Sequence, residues 1–240
     1  MRNIRTPYLV VNPKSYLYGK ESLELALAAD KACEDFDIDI FFTTGFSDLR
    51  LIKENTKNII LTAQHMQSLK PGRGMGHVLP ESLVDAGVEA VFLNHAENPL
   101  TVNELYSCIN RCKELGLYSI VCADSVAEAE ALCMFAPSCV LAEPTELIGT
   151  GVVADNSYID ETISRLRKIN PNVHINIASG ITTADDVYNV IYHGADGTGA
   201  TSGILKAEDP KLRIREMAEA VKKAASDRKW FFFTSFSKVL

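Results

Sequence analysis

Ala90-Val91-Phe92-Leu93-Asn94-His95-Ala96-Glu97 opens the stretch that decides the fold, and residues 101–115 and 118–122 complete it. Four apolar residues in a row, too few for a helix, read as a strand buried on both faces. A polar and charged exit follows. Beyond it Val102, Leu105, Ile109 and Cys112 recur every three or four residues, the spacing that lays one apolar stripe along a helix. A second short apolar run begins at Tyr118. Strand, crossover helix and strand of these lengths make a βα unit that returns the chain parallel to itself.

The unit repeats in both directions. With strands at 90–94 and 118–122, apolar runs at 8–12, 38–42, 58–62, 139–142, 174–178 and, less apolar, 195–200 bring the predicted number to eight. Residues 158–169 repeat the helical pattern through Ile159, Ile163, Leu166 and Ile169. Eight units in 240 residues average about 30 residues each, the size of a βα unit. Apolar parallel strands need helices on their outer face, and eight of them favour an α/β closed (β/α)8 barrel over an open doubly wound sheet. No Pro/Gly/Ser-rich linker interrupts the chain, so residues 1–228 are expected to form a single domain. Residues 229–240, with Trp230-Phe231-Phe232-Phe233 and Phe236, are expected to be an aromatic-rich tail after the last helix. Such a tail would be an association liability if exposed, so it is expected against the lower face of the barrel or a subunit contact.

Composition narrows the function. The chain is 47% hydrophobic and 23% charged, an ordinary globular balance. A net charge of −7 argues against a nucleic-acid partner, which needs a basic footprint. No run of about 18 apolar residues offers a membrane span, and the first residues lack a signal-peptide pattern, so a cytoplasmic protein is expected. The six cysteines, at 33, 108, 112, 122, 133 and 139, form no Cys-x-x-Cys pair and no zinc spacing. They are expected to be reduced and buried, and no metal or cofactor is expected.

In a barrel of this kind, chemistry sits in the loops after the strands. Those positions read Asn12-Pro13-Lys14, Gln64-His65, Asn94-His95-Ala96-Glu97, Glu143-Pro144, Ser179-Gly180 and Thr201-Ser202-Gly203. A desolvated carboxylate such as Glu143 can abstract a proton α to a carbonyl. The enediolate so formed needs a cation and a hydrogen-bond donor, which Lys14 and His95 can supply. The Gly/Ser loops at Ser179-Gly180 and Thr201-Ser202-Gly203 follow strands seven and eight, where barrels commonly hold phosphate. Thr182 or Thr183 would cap the helix after strand seven. A third Gly-rich segment, residues 143–151, is placed to act as a lid.

At these residues the chain resembles the triosephosphate isomerase family, in its shorter archaeal-type branch, over residues 8 to about 225. The motifs are Asn12-Pro13-Lys14-Ser15-Tyr16, Ala63-Gln64-His65, Gly76-His77-Val78-Leu79-Pro80-Glu81 and Leu93-Asn94-His95-Ala96-Glu97. Glu143-Pro144-Thr145-Glu146-Leu147-Ile148-Gly149-Thr150-Gly151 and Ser202-Gly203-Ile204-Leu205-Lys206-Ala207 continue them. The resemblance implies a TIM barrel that interconverts glyceraldehyde 3-phosphate and dihydroxyacetone phosphate in glycolysis and gluconeogenesis. It implies Glu143 as base, His95 as electrophile, Lys14 as stabilising cation, Asn12 beside them on the substrate, and Glu97 supporting the lysine. It further implies phosphate contacts from Ile148, Gly149, Ser179, Gly180, Thr201, Ser202 and Gly203, and a homodimer or homotetramer. A neutral His95, its proton affinity lowered by a helix that Asn98-Pro99 would start, belongs to the same picture; the principle's own example is this family.

Ala96 stands where the family has Ser, Pro99 where it has Arg, Met75 where it has Thr, and Thr201 where it has a smaller residue. These departures keep two alternatives open: an isomerase of a related sugar such as a tetrulose phosphate, and a catalytically silent barrel that binds phosphosugars.

Overall fold

A computed structural model describes residues 2–143, 155–178 and 180–236, with side chains as far as Arg228. Eight parallel strands close into a barrel in sequence order: β1 (Tyr8–Val11), β2 (Ile40–Thr44), β3 (Ile60–Ala63), β4 (Ala90–Leu93), β5 (Tyr118–Ala123), β6 (Cys139–Ala142), β7 (His174–Ile177) and β8 (Gly197–Ala200). The helices are α1 (Gly19–Phe36), α2 (Leu49–Asn55), α3 (Pro80–Asp85), α4 (Val102–Leu115), α5 (Val126–Cys133), α6 (Asn156–Ile169), α7 (Ala184–Tyr192), the single turn α8 (Ser202–Leu205) and α9 (Pro210–Phe236). The expected single barrel is present.

Two apolar layers hold it. Alternate strand residues point inward, and Tyr8, Val10, Phe41, Ile60, Phe92, Tyr118, Ile120, Cys139 and Leu141 fill the barrel. The others, with Leu25, Ile52, Leu105, Ile109, Ile159, Leu166, Val187 and Val221, fill the space between sheet and helices. Each fully buried Leu, Ile or Phe contributes roughly 1.5–3 kcal/mol of transfer free energy, so this double layer drives closure. Inside, polar tips find partners: Tyr8 Oη meets Cys139 Sγ at 3.2 Å and Tyr118 Oη meets His174 Nδ1 at 2.6 Å. All six cysteines are free and buried, as expected.

Strand ends shift where side chains claim the backbone donors. β3 begins at Ile60 rather than residue 58 because Asp30 Oδ1 accepts from the N–H groups of Lys57, Asn58 and Ile59. β2 also begins two residues late, at Ile40; Asp39 just before it is fully buried and paired with Arg2 and Arg5. The weakly apolar eighth strand has a packing cause. A Cβ at Gly197 would lie 2.1 Å from the Tyr8 ring, and one at Gly199 would lie 2.4 Å from the Val10 carbonyl oxygen.

Three helix expectations need correction. Asn98-Pro99 does not start a helix: α4 begins at Val102, with Thr101 and Glu104 forming a reciprocal capping box. Val102, read as part of the buried stripe, is exposed at that first position, and Cys108 takes its place in the core. The aromatic stretch does not follow the last helix, since α9 continues through Phe236.

Candidate active site

The strand ends open into one cavity of about 990 Å³ that Asn12, Lys14, His95, Glu143, Gly180, Thr201 and Ser202 all line. These sequence-predicted residues, from five strand ends, therefore share one mouth. Residues 144–151, which include Ile148 and Gly149, and Ser179 lie outside the described residues.

Lys14 is held in the left-handed region, φ 51°, which costs a non-glycine residue of order 1–3 kcal/mol. Its surroundings over-determine it. Its N–H donates to Asn12 Oδ1 at 2.9 Å, its carbonyl accepts from Gln64 Nε2 at 2.8 Å, and its Nζ donates to Glu97 Oε1 at 2.7 Å. Asn12 and Gln64 thus fix the backbone while Glu97 fixes the charge. The Lys14 hydrogen bond holds the Glu97 carboxyl below its ordinary range.

The loop that carries His95 is built around Asn94, also left-handed at φ 58°. Asn94 Oδ1 accepts from the Leu100 N–H at 3.0 Å, and its Nδ2 donates to the Cys122 carbonyl at 3.1 Å and to Glu128 Oε1 at 3.2 Å. The Asn98 N–H closes the turn on the His95 carbonyl at 2.7 Å. Within it, the Glu97 N–H donates to His95 Nδ1 at 3.1 Å. Nδ1 accepts, so the ring proton of a neutral imidazole resides on Nε2. Burial first, and then the Lys14 charge, hold the His95 pKa below its ordinary value, against a smaller opposing pull from Glu97. The neutral ring is the expected state, but its cause is desolvation and a cation rather than a helix end at Asn98-Pro99.

Glu143 ends β6, its N–H tied to the Ala123 carbonyl at 2.9 Å. Burial pushes its carboxyl up to about 7; Lys14 opposes this and Glu97 adds to it. A carboxylate so poised is a competent base at neutral pH, because it balances ionised fraction against proton affinity. A small crevice behind it is lined by Ala96, Cys122, Asp124 and Glu128 as well as by His95.

On the opposite wall, Gly180 takes φ 73° at the turn into α7. Thr183, of the two expected candidates, caps that helix in a box with Asp186. Gly203 is required by proximity: a Cβ there would lie 2.5 Å from the Ile181 carbonyl oxygen and 2.6 Å from Thr182 Cα. The two Gly-rich loops therefore touch. Asn176 escaped the sequence reading. It lines the cavity floor from β7, 1% exposed, with no partner for Oδ1 among the described residues. The available signal was a polar residue at an inward register inside an otherwise apolar strand. Among the described residues, no cluster of three His, Cys, Asp or Glu side chains is arranged to hold a metal ion, and no helix is long and apolar enough to cross a membrane.

The family model for triosephosphate isomerase matches residues 7–221. The triosephosphate isomerase of Methanocaldococcus jannaschii is 34% identical over 218 residues, covering 89% of this chain and 99% of the relative. That of Methanobrevibacter smithii is 33% identical over 219 residues, with 89% and 98% covered, and that of Sulfurisphaera tokodaii 30% over 231, with 94% and 100% covered. With its closed barrel and a mouth that gathers Lys14, His95 and Glu143, the chain belongs to the triosephosphate isomerase family, in the archaeal-type branch.

Proposed function

We propose that the chain interconverts glyceraldehyde 3-phosphate and dihydroxyacetone phosphate, as a cytoplasmic homodimer or homotetramer working without metal or cofactor. The observation that carries this reading is the pairing, in one cavity, of a carboxyl raised to about 7 with a neutral imidazole whose Nε2 bears the proton.

In this mechanism the Glu143 carboxylate takes a proton from the carbon beside the substrate carbonyl. The released electron pair forms the enediolate carbon–carbon double bond and places negative charge on the former carbonyl oxygen. His95 Nε2–H and Lys14 Nζ stabilise that oxygen, with Asn12 beside them, as donors held in place before the charge develops. The remaining hydroxyl proton passes to that oxygen by way of His95 Nε2, and the Glu143 carboxylic acid returns its own proton to the former carbonyl carbon as the carbonyl re-forms on the other oxygen. Gly180, Thr201, Ser202 and Gly203, with Ser179, Ile148 and Gly149, are the residues proposed to hold the phosphate.

A coupled steady-state assay with glyceraldehyde 3-phosphate tests this. Turnover is expected, together with loss of about 10²–10⁴-fold in Glu143→Gln. Turnover of a tetrulose phosphate but not of the triose would overturn the substrate, and tight binding of an enediolate mimic without turnover of either would overturn the enzyme.

A further inference from the structure

We infer that Arg213 is a positioning residue of the phosphate pocket, clamping the loop after β7 to the loop after β8 from the first turn of α9. The inference rests on the proposal that these two loops take the substrate phosphate.

The strand ladder alone holds this corner loosely. Among the described residues, β7 and β8 share one registered pair, Asn176↔Gly197, whereas β1 and β8 share four. Single bonds supplement the seam: the Asp196 N–H donates to the Ile175 carbonyl at 2.9 Å below that pair, and Thr198 Oγ1 to the Ile177 carbonyl at 2.7 Å at the end of β7. At the mouth, where the loops leave the strands, Arg213 spans the gap. Its Nη1 donates to the carbonyl oxygen of Thr182 in one loop and, at 3.4 Å, to that of Gly203 in the other. The fork is aimed by Glu216, whose Oε2 accepts from Nε at 3.1 Å one turn further along α9. A planar guanidinium with fixed donors suits such a bridge, and an ammonium does not reproduce it.

The clamp works against a hard stop. Gly203 packs on Ile181 and Thr182 with no room for a Cβ, so the loops cannot approach further, and Arg213 prevents them from separating. Contact and clamp together fix one separation between Gly180 and Ser202, which line the cavity from either side. A phosphate dianion bound by backbone groups on both loops needs that separation before it arrives, because ordering the loops on binding would weaken affinity. Arg213 touches neither Glu143 nor His95, so its effect is confined to the phosphate end.

Arg213→Met, Arg213→Gln and Arg213→Lys are to be compared by KM and kcat with glyceraldehyde 3-phosphate, by competitive inhibition with inorganic phosphate, and by kcat/KM with glyceraldehyde, which lacks the phosphate. In Met and Gln, KM and the phosphate inhibition constant are expected to rise about tenfold or more, kcat to stay within about threefold, and glyceraldehyde turnover to be unchanged. Lys is expected to recover only part of the loss. If Met is too unstable to purify, Gln and Lys carry the comparison. Phosphate inhibition equal to wild type in all three variants overturns the clamp. So does an equal loss on glyceraldehyde, which marks a general structural defect. Failure of phosphate to compete in the wild type instead overturns the phosphate reading of the loops themselves.

Discussion

The backbone N–H of Glu97 donates to Nδ1 of His95 at 3.1 Å, and this one bond decides what the imidazole can do. With Nδ1 accepting, only Nε2–H is left to donate to a substrate oxygen. Burial and Lys14 both disfavour the imidazolium. Nitrogen NMR of the His95 ring is therefore expected to show the neutral Nε2–H tautomer at about pH 6.5, where an ordinary histidine is half protonated. An imidazolium signal there, or the opposite tautomer, would refute the assignment of His95 as a neutral donor.

Glu143 sets the acid side of the pH profile. Its carboxyl, raised to about 7 by burial, is a base only when ionised, so activity rises with pH through that value. The substrate phosphate titrates nearby, which makes glyceraldehyde the cleaner probe. Its kcat/KM is expected to climb about tenfold per pH unit below 7 and to level off above. A profile flat from pH 5 upward would mean that Glu143 is either not the base or not desolvated.

The same burial makes Glu143 a cost to the fold. A carboxyl whose folded pKa exceeds its unfolded value contributes most stability below the unfolded value, near 4.5, and loses it as pH rises towards 7. One pKa unit corresponds to about 1.4 kcal/mol, so ionisation withdraws at most roughly 3 kcal/mol at pH 8. Glu143→Gln removes that charge. The inactive variant is expected to melt several degrees above wild type at pH 8 and to match it near pH 4.5. Equal melting temperatures at pH 8 would contradict the burial argument.

Much of this was legible in the chain, and the exceptions share a cause. Apolar runs and helical spacing report which face a residue buries, and they placed every strand within two residues at its start. Chemistry-bearing residues at strand ends were legible because the barrel sends every such end to one mouth. Asn98-Pro99 misled because two cap signals compete within four residues. The Asn98 N–H closes the turn on the His95 carbonyl, whereas Thr101 and Glu104 satisfy each other. The Gly197 and Gly199 positions, the Asp30 hold on β3 and the Arg213 bridge were illegible for a different reason. Each depends on a partner far away in sequence, which no local pattern announces.

Glu97 separates two roles in one residue. Its backbone sets the His95 tautomer, while its side chain holds Lys14 Nζ at 2.7 Å. Glu97→Ala should therefore leave the imidazole as it is and release the lysine. A cation displaced by about 1 Å from a developing charge loses about 10²-fold in rate. We expect that loss in kcat/KM, mostly in kcat, with the His95 NMR signature unchanged. A shifted tautomer in Glu97→Ala, or an undiminished rate, would show that the two roles are not divided in this way.

Gly203 offers the sharpest steric test of the phosphate wall. Gly203→Ala inserts a methyl group 2.5 Å from the Ile181 carbonyl oxygen and 2.6 Å from Thr182 Cα, both backbone atoms that cannot swing aside. The loop after β8 must move away from the loop after β7. Overpacking of this kind costs about 1–3 kcal/mol, and the melting temperature should fall accordingly, by roughly 2–10 °C. The catalytic groups stand on other strands, so glyceraldehyde turnover should persist while KM for glyceraldehyde 3-phosphate rises about tenfold. A variant with wild-type melting and wild-type KM would mean that the two loops are not in the tight contact described here. One that loses glyceraldehyde turnover in equal measure would place the damage in the barrel rather than at the phosphate.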